Sequence, residues 1–196
     1  MNSTEEAEAS GTRQTIRSLR VGQLTNRILS ASASLVAIAA LATALYQAKV
    51  ARDQAKAAVW PYLLVGNAGD EGYSRIAQNV GLGPAIIGAF EVQVNGHPVR
   101  TWREAADSMH IRLTGRSYAS TTFRAGVVVP IGGRMDLVNL RDSADIRAFR
   151  AGLNANRLVT SVCYCSLYDD CWETEGMGRP RPVKACREDA KRAFVE

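Results

Sequence analysis

Histidine is scarce in this chain of 196 residues, with His97 and His110 the only two. That removes most of the usual supply of general bases and zinc ligands. The common catalytic signatures are missing too. There is no G-x-S-x-G elbow for a serine nucleophile, and no C-x-x-C opening a helix for thiol redox chemistry. Gly81, Gly83 and Gly88 miss the dinucleotide spacing, and no Gly-Lys-Ser/Thr follows them. The sequence therefore names no catalytic residue, cofactor-binding residue or metal ligand, and it points to a binding or structural role. The alternative is a membrane-tethered enzyme with a site at one end of the domain, which would need His97 or His110 in a cleft beside a serine, cysteine or carboxylate. Nor is there a basic block. Lys and Arg number 24 against 19 Asp and Glu, a net charge of +5, but the two signs are mixed along most of the chain. A nucleic-acid partner is not expected from that pattern. With 46% apolar and 22% charged residues, the composition is that of a globular protein.

The longest absence is of charge. Between Arg27 and Lys49 the chain reads ILSASASLVAIAALATALYQA, residues 28–48, without one ionisable acid or base. At the helical rise this covers about 30 Å, the thickness of a bilayer's hydrocarbon core. The reading is a membrane-spanning helix, whose few hydroxyls (Ser30, Ser32, Ser34, Thr43) can bond back to their own backbone. Ala42-Thr43-Ala44 could pass as a signal-peptidase site, but the leader before it is long, which favours an uncleaved signal anchor. Arg13, Arg17, Arg20 and Arg27 precede the span, against Lys49, Arg52 and Lys56 after it. The slight excess places the N-terminus in the cytoplasm and the rest outside, in the periplasm of a bacterial inner membrane. The domain reading is a cytoplasmic, partly disordered tail over 1–27, with an amphipathic helix over 12–27, then the span at 28–48, a helical stalk at 49–59, and a folded domain at 60–196.

Cysteine is absent until Cys163. Cys163, Cys165, Cys171 and Cys186 then crowd into the last quarter. Disulfides persist in oxidising compartments, so this cluster supports the outward placement independently. Cys163 and Cys165 share one face of a strand and do not suit one another. Cys165 with Cys171 and Cys163 with Cys186 is one pairing; Cys163 with Cys171 and Cys165 with Cys186 is the other. A four-cysteine zinc site fits poorly, because C-x-C is too short for the usual knuckle.

Beyond Trp60-Pro61 the signals are mostly β. Tyr62–Val65 and Tyr73–Val80 read as a strand pair. Phe90, Val92 and Val94 alternate with Glu91 and Gln93, and Asn95-Gly96 is a hairpin turn placing His97 in the turn. Residues 101–109 read as a helical crossover ending at His110, 120–130 as a strand, and 135–140 as another. Residues 143–152 read as a short helix capped by Ser143. Residues 158–167 form the strongest strand, turning at Asp169-Asp170, and 184–196 a charged, helical tail. The Gly81/Gly83 stretch is expected to be a turn whose glycines take positive φ. Glu173 and Glu175 read as solvated loop charges. The fold class is mainly β: one transmembrane helix, then a small sandwich of immunoglobulin-like type with one or two short helices.

At Trp60-Pro61, Asn79-x-Gly81-x-Gly83-Pro84-Ala85 and Tyr164-Cys165-Ser166-x-Tyr168-x-x-Cys171-Trp172, the chain resembles a group of uncharacterised bacterial single-pass membrane proteins. The resemblance implies an N-terminal anchor and a small β domain, and no activity. The expected partners are the bilayer through residues 28–48, a protein partner through loops or strand edges, and a second copy. The last follows from small residues four apart, such as Ala33 and Ala37 or Ala40 and Ala44.

Overall fold

A stretch without charge or proline has only one way to satisfy its backbone locally, and residues 28–48 take it. In the computed structural model they belong to one helix, α1 (Ser3–Ala58), of which Leu29–Ala58 is long and apolar enough to cross a membrane. The structure describes the backbone of residues 3–69, 72–111, 118–154 and 158–196. Side chains are described from residue 26 onward in those ranges, except 28, 153 and 154. Leu35, Val36, Ile38, Leu41 and Leu45 are each 62–69% exposed among the described residues. The helix hydroxyls bond inward as expected. Ser32 Oγ donates to the Leu29 carbonyl (2.9 Å), Ser34 Oγ to Ser30 (2.9 Å) and Thr43 Oγ1 to Ala39 (2.8 Å). From Ser3 the chain is helical and runs on without a break into residues 28–48. Glu, Ala, Arg, Gln and Leu recur before that segment and favour helix. The side chains of Ile16, Leu19 and Leu24, on which the amphipathic reading rests, lie outside the described residues.

The chain divides into two compact units, residues 1–54 and 55–196. In the second, the last turn of α1 is followed by β1 (Leu63–Ala68), β2 (Tyr73–Asn79), β3 (Ala85–Val94), β4 (His97–Val99), α2 (Trp102–Ser108), β5 (Tyr118–Ala119), β6 (Val128–Val129), β7 (Arg134–Leu140), α3 (Ser143–Asn154), β8 (Leu158–Cys165), β9 (Cys171–Glu175) and β10 (Arg181–Val183). All described pairings are antiparallel. One sheet has the order β1-β2-β7-β5; the other has β10-β9-β8-β3-β4, with β6 also on β3. Val65, Tyr73, Ala77 and Leu137 from the first sheet share one buried core with Ile87, Val92, Val94, Val162 and Tyr164 from the second. The architecture is two antiparallel sheets in sandwich-like arrangement with two short helices.

Strand β3 explains its own pattern. Ala85 and Ile87 point inward, the register shifts between Ile87 and Ala89, and Phe90, Val92 and Val94 then point inward on the other phase. The extra residue is a bulge. After it, Asn95 (φ 52°) and Gly96 (φ 80°) make the tight turn into β4, so His97 is the first residue of that strand rather than part of the turn.

Several expectations are corrected. Of the strand expected over 120–130 only β6 forms; β5 ends before it, and the chain between them is irregular, with Phe123 buried against Phe90. Helix α3 is capped by Asp142, not Ser143. Asp142 Oδ1 accepts from the backbone N–H of Ala144 (2.8 Å) and of Asp145 (3.2 Å). A carboxylate is the better cap here because it also meets the positive end of the helix dipole. The segment 184–196 is not a helix but a strap over the second sheet. Phe194 is 2% exposed and stacks edge-on against Phe90 and Trp102, at 5.2 and 5.0 Å between ring centroids. One buried aromatic outweighs the helix propensity of the surrounding charged residues.

Candidate functional site

Both sequence motifs fold onto the same place, the end of the sandwich where the chain arrives from α1. Asn79 lies at the end of β2, on the inward phase set by Tyr73 and Ala77, and is completely buried. Its Nδ2 donates to the carbonyls of Gly83 (2.8 Å) and Val129 (3.0 Å). Its Oδ1 accepts from the N–H groups of Gly81 (3.0 Å) and Tyr62 (3.3 Å). One side chain thus joins the start of β1, the glycine loop and β6. Backbone bonds complete the grip: Val80 N–H to Tyr62 C=O at 2.9 Å, and Leu82 N–H to Trp60 C=O at 2.8 Å.

The glycines are needed for space rather than for positive φ, which neither Gly81 nor Gly83 has. A Cβ on Gly81 would collide with the Tyr62 amide nitrogen, and one on Gly83 with the Val59 carbonyl. The loop therefore lies flat against residues 59–62, backbone on backbone.

The second motif closes the other side. Tyr164, inward on β8, accepts the Leu63 N–H on its hydroxyl (3.1 Å), a bond from one sheet to the other. Burial pushes that hydroxyl up to about 12, only partly offset by the Leu63 bond. Trp172, opposite Tyr164 on β9, stacks on it at 6.0 Å and meets Trp60 edge-on at 6.4 Å. Ser166 shapes the intervening turn. Its N–H donates to Asp170 C=O (2.8 Å) and its Oγ accepts from Tyr168 N–H (3.2 Å), while Asp169 takes φ 60°. Asp170 then pairs with Lys56 in the last turn of α1 at 2.9 Å.

The cysteines form two disulfides, Cys165–Cys171 and Cys163–Cys186. Cys165 and Cys171 stand directly opposite across β8 and β9, while Cys186 reaches Cys163 from the strap. Cys165 Sγ lies 3.6 Å from Cys186 Sγ, so the two bonds form one sulfur cluster. Gly88 makes room for it, since a Cβ there would strike Cys186. The third glycine of the stretch thus belongs to the disulfides and not to the loop.

Neither histidine lies in a cleft. His97 and His110 are exposed, at the start of β4 and just after α2. The outer face of the second sheet carries a shallow groove described by two adjoining cavities of about 220 Å³ each, sharing Glu91, Ser161 and Glu173. Glu91 is paired with Arg192 (2.9 Å), and Glu173 with Arg181 (3.7 Å) and Ser161 Oγ (3.3 Å). Glu173 and Glu175 are strand residues of β9, not loop charges. Each of these two glutamates thus has an arginine beside it.

One buried charge escaped the sequence reading. Arg75 is 3% exposed, inward on β2. Its Nη1 donates to Asn67 Oδ1 (2.9 Å) and its Nη2 to Thr160 Oγ1 of the facing sheet (2.7 Å), while Nε has no partner among the described residues. Burial without a carboxylate lowers its pKa, and burial raises the neighbouring Tyr73 hydroxyl to about 12 against the opposing pull of Arg75. The signal was present: Arg75 falls on the Tyr73–Ala77–Asn79 phase of an alternating strand.

No family model, curated protein or solved structure matches the chain.

Proposed function

We propose that this protein is a single-pass membrane protein that holds a β-sandwich at the periplasmic face of a bacterial inner membrane, where the sandwich acts as a binding or structural module. The observation that carries the reading is α1, along which Leu29, Leu35, Val36, Ile38, Leu41 and Leu45 lie exposed on a helix long enough to span a bilayer. The two disulfides support an oxidising compartment. The two motifs support anchoring as the role of their residues, because each spends its polar groups on fixing residues 56–63 to the sandwich. Membership of the bacterial single-pass group rests on those same motifs. The immunoglobulin-like reading has support from strand order. With β10 and β6 set aside, β1-β2-β7-β5 over β9-β8-β3-β4 corresponds to A-B-E-D over G-F-C-C′.

The test is a pair of fusions through a flexible linker after Glu196, one reporter active only in the periplasm and one only in the cytoplasm. Activity of the periplasmic reporter alone is expected, together with thiols that react with alkylating reagent only after reduction. Activity of the cytoplasmic reporter alone would overturn both the orientation and the compartment.

A further inference from the structure

Among the described residues the sandwich leaves ten large apolar side chains exposed; Leu64, Val80, Met177 and Val195 lie apart from one another, and the other six form one group. Leu82 (64%), Ile131 (61%), Leu167 (59%), Val128 (52%), Tyr168 (42%) and Trp60 (41%) all lie at the α1 end. They sit on the glycine loop, the β6–β7 turn, the β8–β9 turn and the segment leading into β1. Pairing places these together: Asn79 bonds to both Gly132 and Gly133 of the second loop, and Val128 lies opposite Ile86, which also pairs with Cys165 beside the third. The first two loops, VGLGP and PIGG, contain no charge at all. A collar of this kind on a soluble surface marks an interaction site.

We infer that this collar seats on the lipid surface, so that the sandwich is held against the membrane by its loop tips as well as by its helix. The inference rests on the anchored reading above. Chain length puts the bilayer within reach: from Ala48, the end of the uncharged segment, to Ala55, where the second unit begins, α1 rises only about 10 Å. The headgroup layer occupies roughly 5–8 Å of that rise. The Lys56–Asp170 pair ties the β8–β9 turn to the last turn of α1. Trp60 and Tyr168 are the residue types that favour a membrane interface. Lys49 and Arg52 on the intervening helix complement anionic headgroups. A second copy or a soluble partner would need none of this proximity.

The full chain is reconstituted in vesicles of phosphatidylcholine and phosphatidylglycerol doped with a lipid carrying a photoactivatable headgroup, and cross-linked peptides are mapped. Adducts are expected on residues 80–84, 130–133 and 166–170 in addition to α1. The doubly substituted Leu82→Glu, Ile131→Glu chain, altered only at exposed positions, should lose the loop adducts by about tenfold while keeping those on α1. Adducts on α1 with none on the loops of the unsubstituted chain would overturn the collar and leave the anchor standing. Loop-to-loop protein cross-links in place of lipid adducts would overturn it in favour of a second copy. Absence of adducts on α1, with the protein released by alkaline carbonate, would instead overturn the anchored reading itself.

Discussion

Asn79→Ala removes four hydrogen bonds at once and gives back nothing. The Gly83 and Val129 carbonyls and the Gly81 N–H are left buried without partners, and the Tyr62 N–H loses its longer 3.3 Å bond. Each orphaned buried group costs about 1–3 kcal/mol. Some relaxation and water entry at this loop-rich end bring the sum to about 4 kcal/mol, near the lower bound for three groups. A domain of ordinary stability holds about 5–15 kcal/mol, so the variant stays folded but loses a large share of its margin. For a chain of this size the melting midpoint falls by about 10 °C. The assay is thermal unfolding of the full chain in detergent micelles, followed by near-ultraviolet circular dichroism, which reports the packed aromatic residues around Trp60 and Trp172. Two comparisons make the result specific. Asn79→Asp keeps the acceptor but turns a carboxylate oxygen toward the Gly83 and Val129 carbonyls, and should be at least as damaging. Asn139→Ala, which loses one bond to Ser74 Oγ (2.7 Å), should cost only about 1 kcal/mol. A midpoint for Asn79→Ala within about 2 °C of the parent would refute the claim that this side chain holds the end of the sandwich together.

The two disulfides should differ in worth. Cys163–Cys186 closes a loop of separation 23 and Cys165–Cys171 one of only 6, so replacing the first pair by alanine should cost about 3 kcal/mol and the second about 2 kcal/mol by loop entropy. Denaturant unfolding of the two double variants measures this, and a larger loss from the Cys165–Cys171 pair would refute the ordering. Alkali should weaken the fold through Tyr73 and Tyr164. Both hydroxyls are raised from 10.0 to about 12, so their contribution is whole below pH 10 and is lost as pH rises through about 12. Ultraviolet titration of tyrosinate should show two late groups, and Tyr164→Phe should remove one; a single transition near the ordinary value would contradict the burial argument.

Strands with a regular phase were readable from sequence. β2, β7 and β8 alternate or run apolar, and the Asn95-Gly96 turn fixes the hairpin after β3. Irregular segments were not. The residues between β5 and β6 form no strand because Phe123 fills a gap against Phe90, a contact made across sequence that no local pattern reports. The strap at 184–196 hides in the same way, its burial depending on a single Phe194 among charges. The glycine loop was legible as a turn, but the reason for its glycines was not. Close approach to the Val59 and Tyr62 backbone requires knowing what lies opposite. The two motifs open more than eighty residues apart, at Asn79 and Tyr164, and no local pattern relates them. Only the geometry around Asn79 and Tyr164 says that they grip one stretch of chain from its two sides.

The strap has a consequence for how the molecule is made. Phe194 packs on Phe90 and Trp102, Glu196 accepts bonds from the Trp102 N–H (2.8 Å) and the Tyr118 hydroxyl (3.2 Å), and Cys186 closes onto β8. The core is therefore incomplete until residue 194 has left the ribosome, long after residues 28–48 have emerged. Synthesis is vectorial, so the helix is available for insertion while the sandwich is still an open chain with free thiols. Under the anchored reading, the domain crosses the membrane unfolded and acquires its Cys163–Cys186 bond as one of its last events, on the far side. On that reading the order of the sequence acts as a timer that keeps the sandwich translocation-competent until it has somewhere to fold.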